Sequence, residues 1–438
     1  MKKYLALLLV LVMVLSLAAC ASKPAETTDE PEQTTPVPAP AEETKDEEPA
    51  PAEETKEEEP TEEPADNTEY AVAMITDYGD ITDQSFNQTT YEACKAFCED
   101  NGVQFSYFKP AGDNTADRVA MIEKAVDEGY NVIVMPGYAF GGAIVEAAPE
   151  FPDVKFIALD VAKGDLLEAG VAKAGESYDY NPDNWDLEKY VDMSNVYCAI
   201  YQEELCGYMA GYAAVKLGYK SLGFLGGMAV PAVIRYGYGF VQGVDAAAAD
   251  LGLSDVTVKY VYGGQFFGDA DITAVMDTWY AGGTEVVFAC GGGIYTSAVD
   301  AAKKVGAKVI GVDVDQAGVI AKYAGVDGMT VTSAMKGLYP ATYDTLTDVI
   351  VNGNWDKYVG KIATLGLVSG TDPEANYVQI PMGDGTQWSD SFTQDDYKAM
   401  VKDMFDGKIT VSNNTSSDVS AASFATVITV DDQGSIKG

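Results

Sequence analysis

The chain is 438 residues long, contains no histidine, and sets 68 Asp or Glu against 28 Lys or Arg, for a formal net charge of −40. Such acidity argues against nucleic acid or an anionic lipid surface as a partner. The missing imidazole excludes His-based catalysis, His metal ligation and His pH switching.

Lys2 and Lys3 precede an apolar run over 5–17, too short for a comfortable membrane span and suited to an export signal. The run closes in Leu17-Ala18-Ala19-Cys20, which resembles a bacterial lipobox. The resemblance implies a signal peptide over 1–19, cleavage before Cys20 and a diacylglyceryl group on the Cys20 sulfur. The alternative is an ordinary export signal with an incidental cysteine. No later stretch comes near the ~18 uninterrupted apolar residues of a membrane span, so the lipid would be the sole anchor. Residues 21–69 hold 18 Asp or Glu and three Lys among many Pro, Ala and Thr. So few large apolar side chains cannot offset ordering entropy, so 20–69 is expected to be a lipidated cysteine followed by a disordered, extended spacer.

From residue 70 the pattern alternates. Strands are expected over 70–76, 104–108, 132–135, 155–159, 196–200, 221–225, 257–262, 286–289, 308–312 and 328–333. Several are continuously apolar, as befits parallel strands covered on both faces. A helix starts after the loop carrying Asp77, Asp80 and Asp83, with Asp83 or Ser85 as N-cap and Phe86 and Asn87 in its first turn. Further helices are expected over 116–128, 141–148, 203–217, 236–251, 272–280 and 295–305. The helix over 203–217 carries Gly207 and Gly211 at small-xxx-small spacing and reads as packed closely on a sheet. Cys94, Cys98, Cys198, Cys206 and Cys290 sit in hydrophobic contexts and read as small buried residues rather than a disulfide framework.

This rhythm indicates doubly wound α/β sheets. Ten strands divide more naturally into two sheets than one, giving two lobes with a cleft between them. The first lobe is expected over 70–202 plus 328–350 and the second over 203–327 plus 351–438, with crossings near 200–203, 325–330 and 350. Ligands of open α/β folds sit beyond the carboxyl ends of the strands. At the first strand end an aromatic (Phe86), an amide (Asn87) and a carboxylate (Asp77) suit a flat polar ligand bearing hydroxyls.

Five segments stand out: Asp83-Gln-Ser-Phe-Asn87; Gln202-Glu-Glu-Leu-Cys-Gly-Tyr-Met-Ala-Gly211; Leu222-Gly-Phe-Leu-Gly-Gly-Met228 with Gly239-Phe-Val-Gln-Gly243; Val309-Ile-Gly-Val-Asp-Val-Asp-Gln316; and Thr332-Ser-Ala-Met-Lys336. Together they resemble the basic membrane protein (Bmp), or PnrA-like, family of substrate-binding lipoproteins, purine nucleoside receptors of ABC importers. The resemblance spans essentially the whole body. It implies a type I periplasmic-binding-protein fold, two doubly wound parallel-sheet lobes joined by a multi-strand hinge and closing on ligand.

It also implies roles. Phe86 resembles one stacking aromatic, and Phe266 or Phe267 the opposite one, with the other Phe in the core. Asp313 would accept two hydrogen bonds from a ribose diol, while Asp315 would be the helix cap. Lys336 would donate to a ligand oxygen or pair with Asp313. Asp77 and Asn87 would read the base edge, Asp160 would reach the ligand from the first lobe, and Gly292 would offer backbone. Tyr138 and Phe140 match the family aromatic after Gly137. Asp77, Asp160 and Asn87 equally suit turns or caps.

The implied partners are a purine nucleoside (inosine, guanosine or adenosine type), ABC permease and ATPase subunits, and the extracytoplasmic face of the bacterial membrane through Cys20. No cofactor or metal is implied, and a monomer is expected. Two other readings compete. A riboflavin-type receptor or surface sensor would keep the fold. A nucleoside-acting enzyme would need a metal-binding carboxylate cluster, which only Asp77, Asp80 and Asp83 could supply, and their spacing lacks the EF-hand alternation. The turn Leu222-Gly-Phe-Leu-Gly-Gly lacks dinucleotide-fold spacing.

Overall fold

The computed structural model describes residues 69–437. The signal segment, Cys20 and the acidic spacer therefore lie outside the described residues.

The expected β–α alternation builds two sheets. The first collects β1 (Ala71–Ile75), β2 (Gln104–Phe108), β3 (Val132–Pro136), β4 (Lys155–Leu159), β5 (Val196–Tyr201) and, much later in the chain, β11 (Ile362–Leu365). Their order is β11-β5-β4-β3-β1-β2, all parallel. The second takes β6 (Ser221–Gly226), β7 (Thr257–Tyr262), β8 (Val286–Cys290), β9 (Lys308–Asp313), β10 (Thr330–Lys336), β12 (Val378–Gln379) and β13 (Thr429–Ser435). Their order is β12-β10-β9-β8-β6-β7-β13, with only β12 antiparallel to its neighbour. The central strands are buried along their length because helices cover both faces.

Helices α1 (Phe86–Asn101), α2 (Thr115–Asp127), α3 (Gly141–Ala147), α4 (Lys163–Lys173) and the single turn α5 (Leu187–Tyr190) serve the first sheet. Helices α6 (Glu203–Lys216), α7 (Pro231–Asp250), α8 (Ala270–Ala281), α9 (Tyr295–Val305) and α10 (Ala317–Ala324) serve the second. Next comes α11 (Leu338–Leu346), which packs back on α1 of the first lobe, and then α12 (Gln394–Phe405). All five body cysteines are buried thiols.

Two expectations need correction. The stretch 328–350 does not belong whole to the first lobe. Its strand β10 pairs with β9 of the second sheet, and only α11 returns to the first. Nor does 351–438 belong whole to the second lobe, because β11 pairs with β5 at the edge of the first sheet. The chain thus crosses after β5, after β10 and after β11, not near 325–330 or 350. The physical reason is visible in β10. The run Thr-Val-Thr-Ser-Ala is buried on both faces, which only a place inside a sheet provides.

The glycine pair of α6 packs chiefly on a helix, not a sheet. A Cβ at Gly207 or Gly211 would stand 2.3 Å from the carbonyl oxygen of Tyr236 or Phe240 on α7. Reciprocally, a Cβ at Gly239 would stand 2.1 Å from the Glu204 carbonyl oxygen. Two backbones meet where Gly207 and Gly211 face Gly239 and Gly243, and this contact fixes both helix N-termini beside the cleft. Gly239→Ala is therefore expected to lower unfolding stability by about 1–3 kcal/mol through overpacking. Denaturant melts of the variant and the wild type check this; identical midpoints would contradict the contact.

Candidate ligand-binding cleft

The carboxyl ends of β1, β3 and β4 face those of β6, β8, β9 and β10, and the loops that follow them line a cavity of about 360 Å³. All nine residues singled out in the sequence line it: Asp77, Phe86, Asn87, Asp160, Phe266, Phe267, Gly292, Asp313 and Lys336.

Lys336, at the end of β10, stands at the centre. Its Nζ is 2.5 Å from Asp160 Oδ2 in the opposite lobe and 3.7 Å from both Asp313 Oδ1 and Glu203 Oε1. Its charge also lies 4.5 Å from the Phe86 ring centroid, a cation–π contact. Burial alone would drive the amine toward neutrality. The three carboxylates outweigh it and hold its pKa above the ordinary lysine range. Glu203 is anchored in turn by Arg235, whose Nε donates to Oε2 at 2.6 Å.

Asp313 closes β9 with φ at +65°, and Asp160 follows β4 with φ at +60°. Non-glycine residues in this left-handed region carry strain that persists only where the surroundings fix it. Here one fixing contact of Asp313 crosses the cleft and the other comes from α7 of its own lobe. Asp313 Oδ2 accepts from Ser85 Oγ of the first lobe at 2.5 Å, and Oδ1 accepts from the Tyr236 hydroxyl at 3.3 Å. Gln316, not Asp315 or Asp313, occupies the N-cap position of α10, while Asp315 Oδ1 accepts from the Ala317 N–H at the start of the helix. Gln316 Nε2 donates across the cleft to the Gln84 carbonyl at 3.1 Å.

The loop after β1 divides its three aspartates among separate tasks. Asp83 caps α1, accepting from the N–H groups of Ser85, Asn87 and Gln88. Ser85 occupies the backbone N-cap position yet makes no capping bond, so its hydroxyl is free to reach Asp313. Asp80 pairs with Lys109 on the surface at 2.8 Å. Asp77 uses Oδ1 to accept from the N–H groups of Tyr78 and Gly79, and burial raises its pKa. Asn87 donates from Nδ2 to Asp83 Oδ2, while its Oδ1 is buried without a hydrogen-bond partner.

Neither phenylalanine of the 266–267 pair is a core residue. Phe266 is half-buried, and its ring lies over Gly227 and Gly291, where added Cβ atoms would fall 2.3 and 2.7 Å from it. The same ring faces Tyr78 across the cleft at a centroid distance of 6.3 Å. Phe267 stands at the mouth, 58 % exposed. Gly292, with φ at +48°, runs its backbone beneath this loop, and a Cβ there would meet the Phe266 carbonyl oxygen at 2.9 Å. Of the two aromatics after Gly137, Tyr138 lines the cavity and Phe140 is wholly core.

Sequence reasoning missed three residues, Tyr78, Glu203 and Arg235, and named Tyr138 only as a match to the family aromatic. Tyr78 and Tyr138 point their hydroxyls from the first lobe at Met228 Sδ of the second, at 3.4 and 3.7 Å. Tyr78 had a usable signal, an aromatic beside Asp77 in a strand-end loop. Glu203 and Arg235 had none, since only the packing of α6 on α7 brings them together. Two further carboxyls lie nearby. Burial pushes Asp165 up to about 7 against the pull of Ala162 N–H and Arg235. Burial, reinforced by the Glu203 charge, pushes Glu204 up to about 7.

Two α/β lobes, joined by three crossings and closed on a pocket lined by aromatic rings and strand-end carboxylates, are built to capture a small ligand. The model of the family described as "ABC transporter substrate-binding protein PnrA-like" (Bmp) matches residues 70–372. The chain belongs to this family, one of solute-binding proteins that serve ABC transporters. Among its relatives, the ABC transporter nucleoside-binding protein BmpA of Lactococcus lactis is 26 % identical over 358 residues, covering 78 % of this chain and 89 % of that protein. An uncharacterized lipoprotein of Pyrococcus abyssi is 25 % identical over 321 residues, covering 70 % of this chain and 69 % of its own length. An ABC transporter solute-binding protein from Conexibacter woesei superposes with a TM-score of 0.56 at 20 % identity, over 78 % of this chain and 99 % of its own. That likeness fixes the fold as the type I binding-protein architecture. Family membership implies a permease and an ATPase as partners. No helix among the described residues is long and apolar enough to cross a membrane.

Glu204 provides a pH test of the α6 N-terminus. Its folded-state pKa stands above the unfolded value of about 4.3, so the neutral carboxyl favours the fold at low pH. Stability is lost as pH rises from there through about 7. Glu204→Gln is expected to gain on the wild type across that window, by about 2–3 kcal/mol at its upper end. Thermal melts as a function of pH check it, and parallel curves for the two proteins would contradict it.

Proposed function

We propose that the chain is a lipid-anchored receptor that captures purine nucleosides in the interlobe cleft and hands them to an ABC permease for import. The observation that carries the reading is one cavity lined by two aromatics from opposite lobes, Phe86 and Phe266, together with Asp313 at a strand end. A base slipped between aromatic faces gains about 1–3 kcal/mol per stacked ring. Asp313, already a double acceptor, exchanges its Ser85 and Tyr236 partners for the ribose diol. A cavity of about 360 Å³ falls at the small end of the range for drug-sized ligands, about 300–1,000 Å³, as a nucleoside requires. The name of the Lactococcus relative supports the same ligand class.

The base edge meets acceptors. Asn87 Oδ1 lacks a partner and its amide nitrogen is committed to Asp83; Asp77 adds Oδ2. Two acceptors lining one cavity match the adjacent N1–H and N2–H donors of guanine, and leave one oxygen unpaired against the N1 acceptor of adenine. An unpaired buried acceptor costs about 1–3 kcal/mol, so guanosine is expected to bind roughly tenfold or more tightly than adenosine.

Calorimetry with guanosine, inosine, adenosine and riboflavin tests the reading. Guanosine heat at micromolar concentrations, abolished by Asp313→Ala, is the expected outcome. No heat with any nucleoside, or an unchanged Asp313→Ala affinity, would overturn it; heat with riboflavin alone would favour the flat-ligand alternative. Anchoring has its own test. In cells, Cys20→Ser is expected to move the protein from the membrane fraction to the soluble extracytoplasmic fraction, and retention at the membrane would contradict lipidation at Cys20.

A further inference from the structure

The loop over 263–269 carries Phe266 and Phe267; its Gly263 and Gly264 N–H groups donate to the Gly226 and Gly227 carbonyls at 2.7 and 2.9 Å, and two further segments hold its two sides. On the inner side, the Gly293 N–H donates to the Phe266 carbonyl at 2.8 Å, and Phe267 forms an isolated bridge with Gly293. On the outer side lies the chain that follows β13. Its Ile436 N–H donates to the Tyr262 carbonyl at 2.8 Å, continuing the β13–β7 ladder up to the start of the loop. Lys437 then turns onto the loop itself. Its Nζ bonds Gln265 Oε1 at 2.8 Å and pairs with Asp269. Gln265 Nε2 completes the ring by donating to Asp269 Oδ2 at 2.9 Å and to the Phe267 carbonyl at 2.8 Å. The backbone fits as closely as the side chains do. Gly264, at φ +80°, would place a Cβ 2.7 Å from the Lys437 carbonyl oxygen. Further back, Gln433 Oε1 accepts from the Trp279 indole N–H and pins the strand to α8.

None of these residues from 429 to 437 falls within the part of the chain matched by the family model, which ends at 372. We propose that β13 and the Ile436–Lys437 step form a strap that holds the Phe266–Phe267 loop in its cleft-facing shape, with Lys437 as a positioning residue for ligand affinity. Lys437 touches no residue of the first lobe in the bonds above. It acts through Gln265 and Asp269, the residues flanking the two phenylalanines. Removing it frees the outer side of the loop while the Gly293 side stays bonded. The Phe266 ring then samples positions off the Gly227–Gly291 surface, and ligand escapes more readily.

The inference rests on the nucleoside reading for its affinity arm and on no ligand for its second arm. Lys437→Ala, Lys437→Arg and the wild type are compared by calorimetry and stopped flow with guanosine, and by amide hydrogen exchange without it. The Lys437–Asp269 side chains are 34 % and 26 % exposed, so their pair is of modest strength. The expected loss in Lys437→Ala is about three- to fivefold in affinity, mainly as faster dissociation, with recovery in Lys437→Arg. Exchange in Lys437→Ala rises over 263–269 and nowhere in the first lobe. Unchanged exchange in that loop overturns the strap, as does faster exchange with unaltered guanosine affinity. Should the wild type bind no guanosine, the nucleoside reading fails by itself, and exchange over 263–269 alone upholds or overturns the strap.

Discussion

A lysine ammonium held at 5 % exposure dictates much of how the two lobes meet. Taking such a charge out of water costs several kcal/mol unless close countercharges offset it. In Lys336 they come from both sides of the cleft, Asp160 from the first lobe and Asp313 and Glu203 from the second. Separating the lobes strips the shortest of these contacts and returns the amine to water. The meeting of the lobes is thereby tied to this electrostatic junction, beside the Ser85–Asp313 and Gln316–Gln84 hydrogen bonds, and a ligand that binds two lobe arrangements unequally shifts the balance between them. The Phe86 ring over the same ammonium links this junction to the aromatic lining of the cleft.

The strain at Asp160 and Asp313 fits this picture. Each takes a left-handed conformation at the end of a strand, where its carboxylate can turn toward the opposite lobe. Ser85 reaches Asp313 only because Asp83 has taken over the capping of α1. One helix start therefore serves three purposes: the cap, the cross-cleft hydrogen bond, and the placement of Phe86 and Asn87. Behind it, the glycine contact between α6 and α7 sets Glu203 and Arg235 side by side and keeps Lys336 in register with them.

The parts legible in the sequence share one property: a strong local signal. Continuous apolar runs marked β3, β8 and the other central strands, and strand-to-helix loops marked every predicted cleft residue. What stayed hidden lacked such a signal. The strand β11 is only Ile-Ala-Thr-Leu and half-buried, and β13 is mostly exposed and rich in Asp. Both are edge strands defined by a neighbour's free backbone, which a local window does not contain. The lobe crossings were misplaced for the same reason, because β10 declares its sheet only by pairing with β9. Cross-cleft partners are hidden more deeply still. Ser85 and Asp313 are 228 residues apart, and only closure of the two lobes brings them together. The core assignment of one phenylalanine failed because Gly227 and Gly291 offer a bare surface on which Phe266 lies at the cleft rather than beneath it.

We infer that the Lys336 junction couples ligand binding to closure of the lobes. X-ray scattering of the wild type and of Lys336→Met, each with and without saturating guanosine, tests it most directly. Guanosine is expected to contract the radius of gyration of the wild type and to leave that of Lys336→Met unchanged. Equal contraction of both proteins at the same guanosine affinity would contradict it.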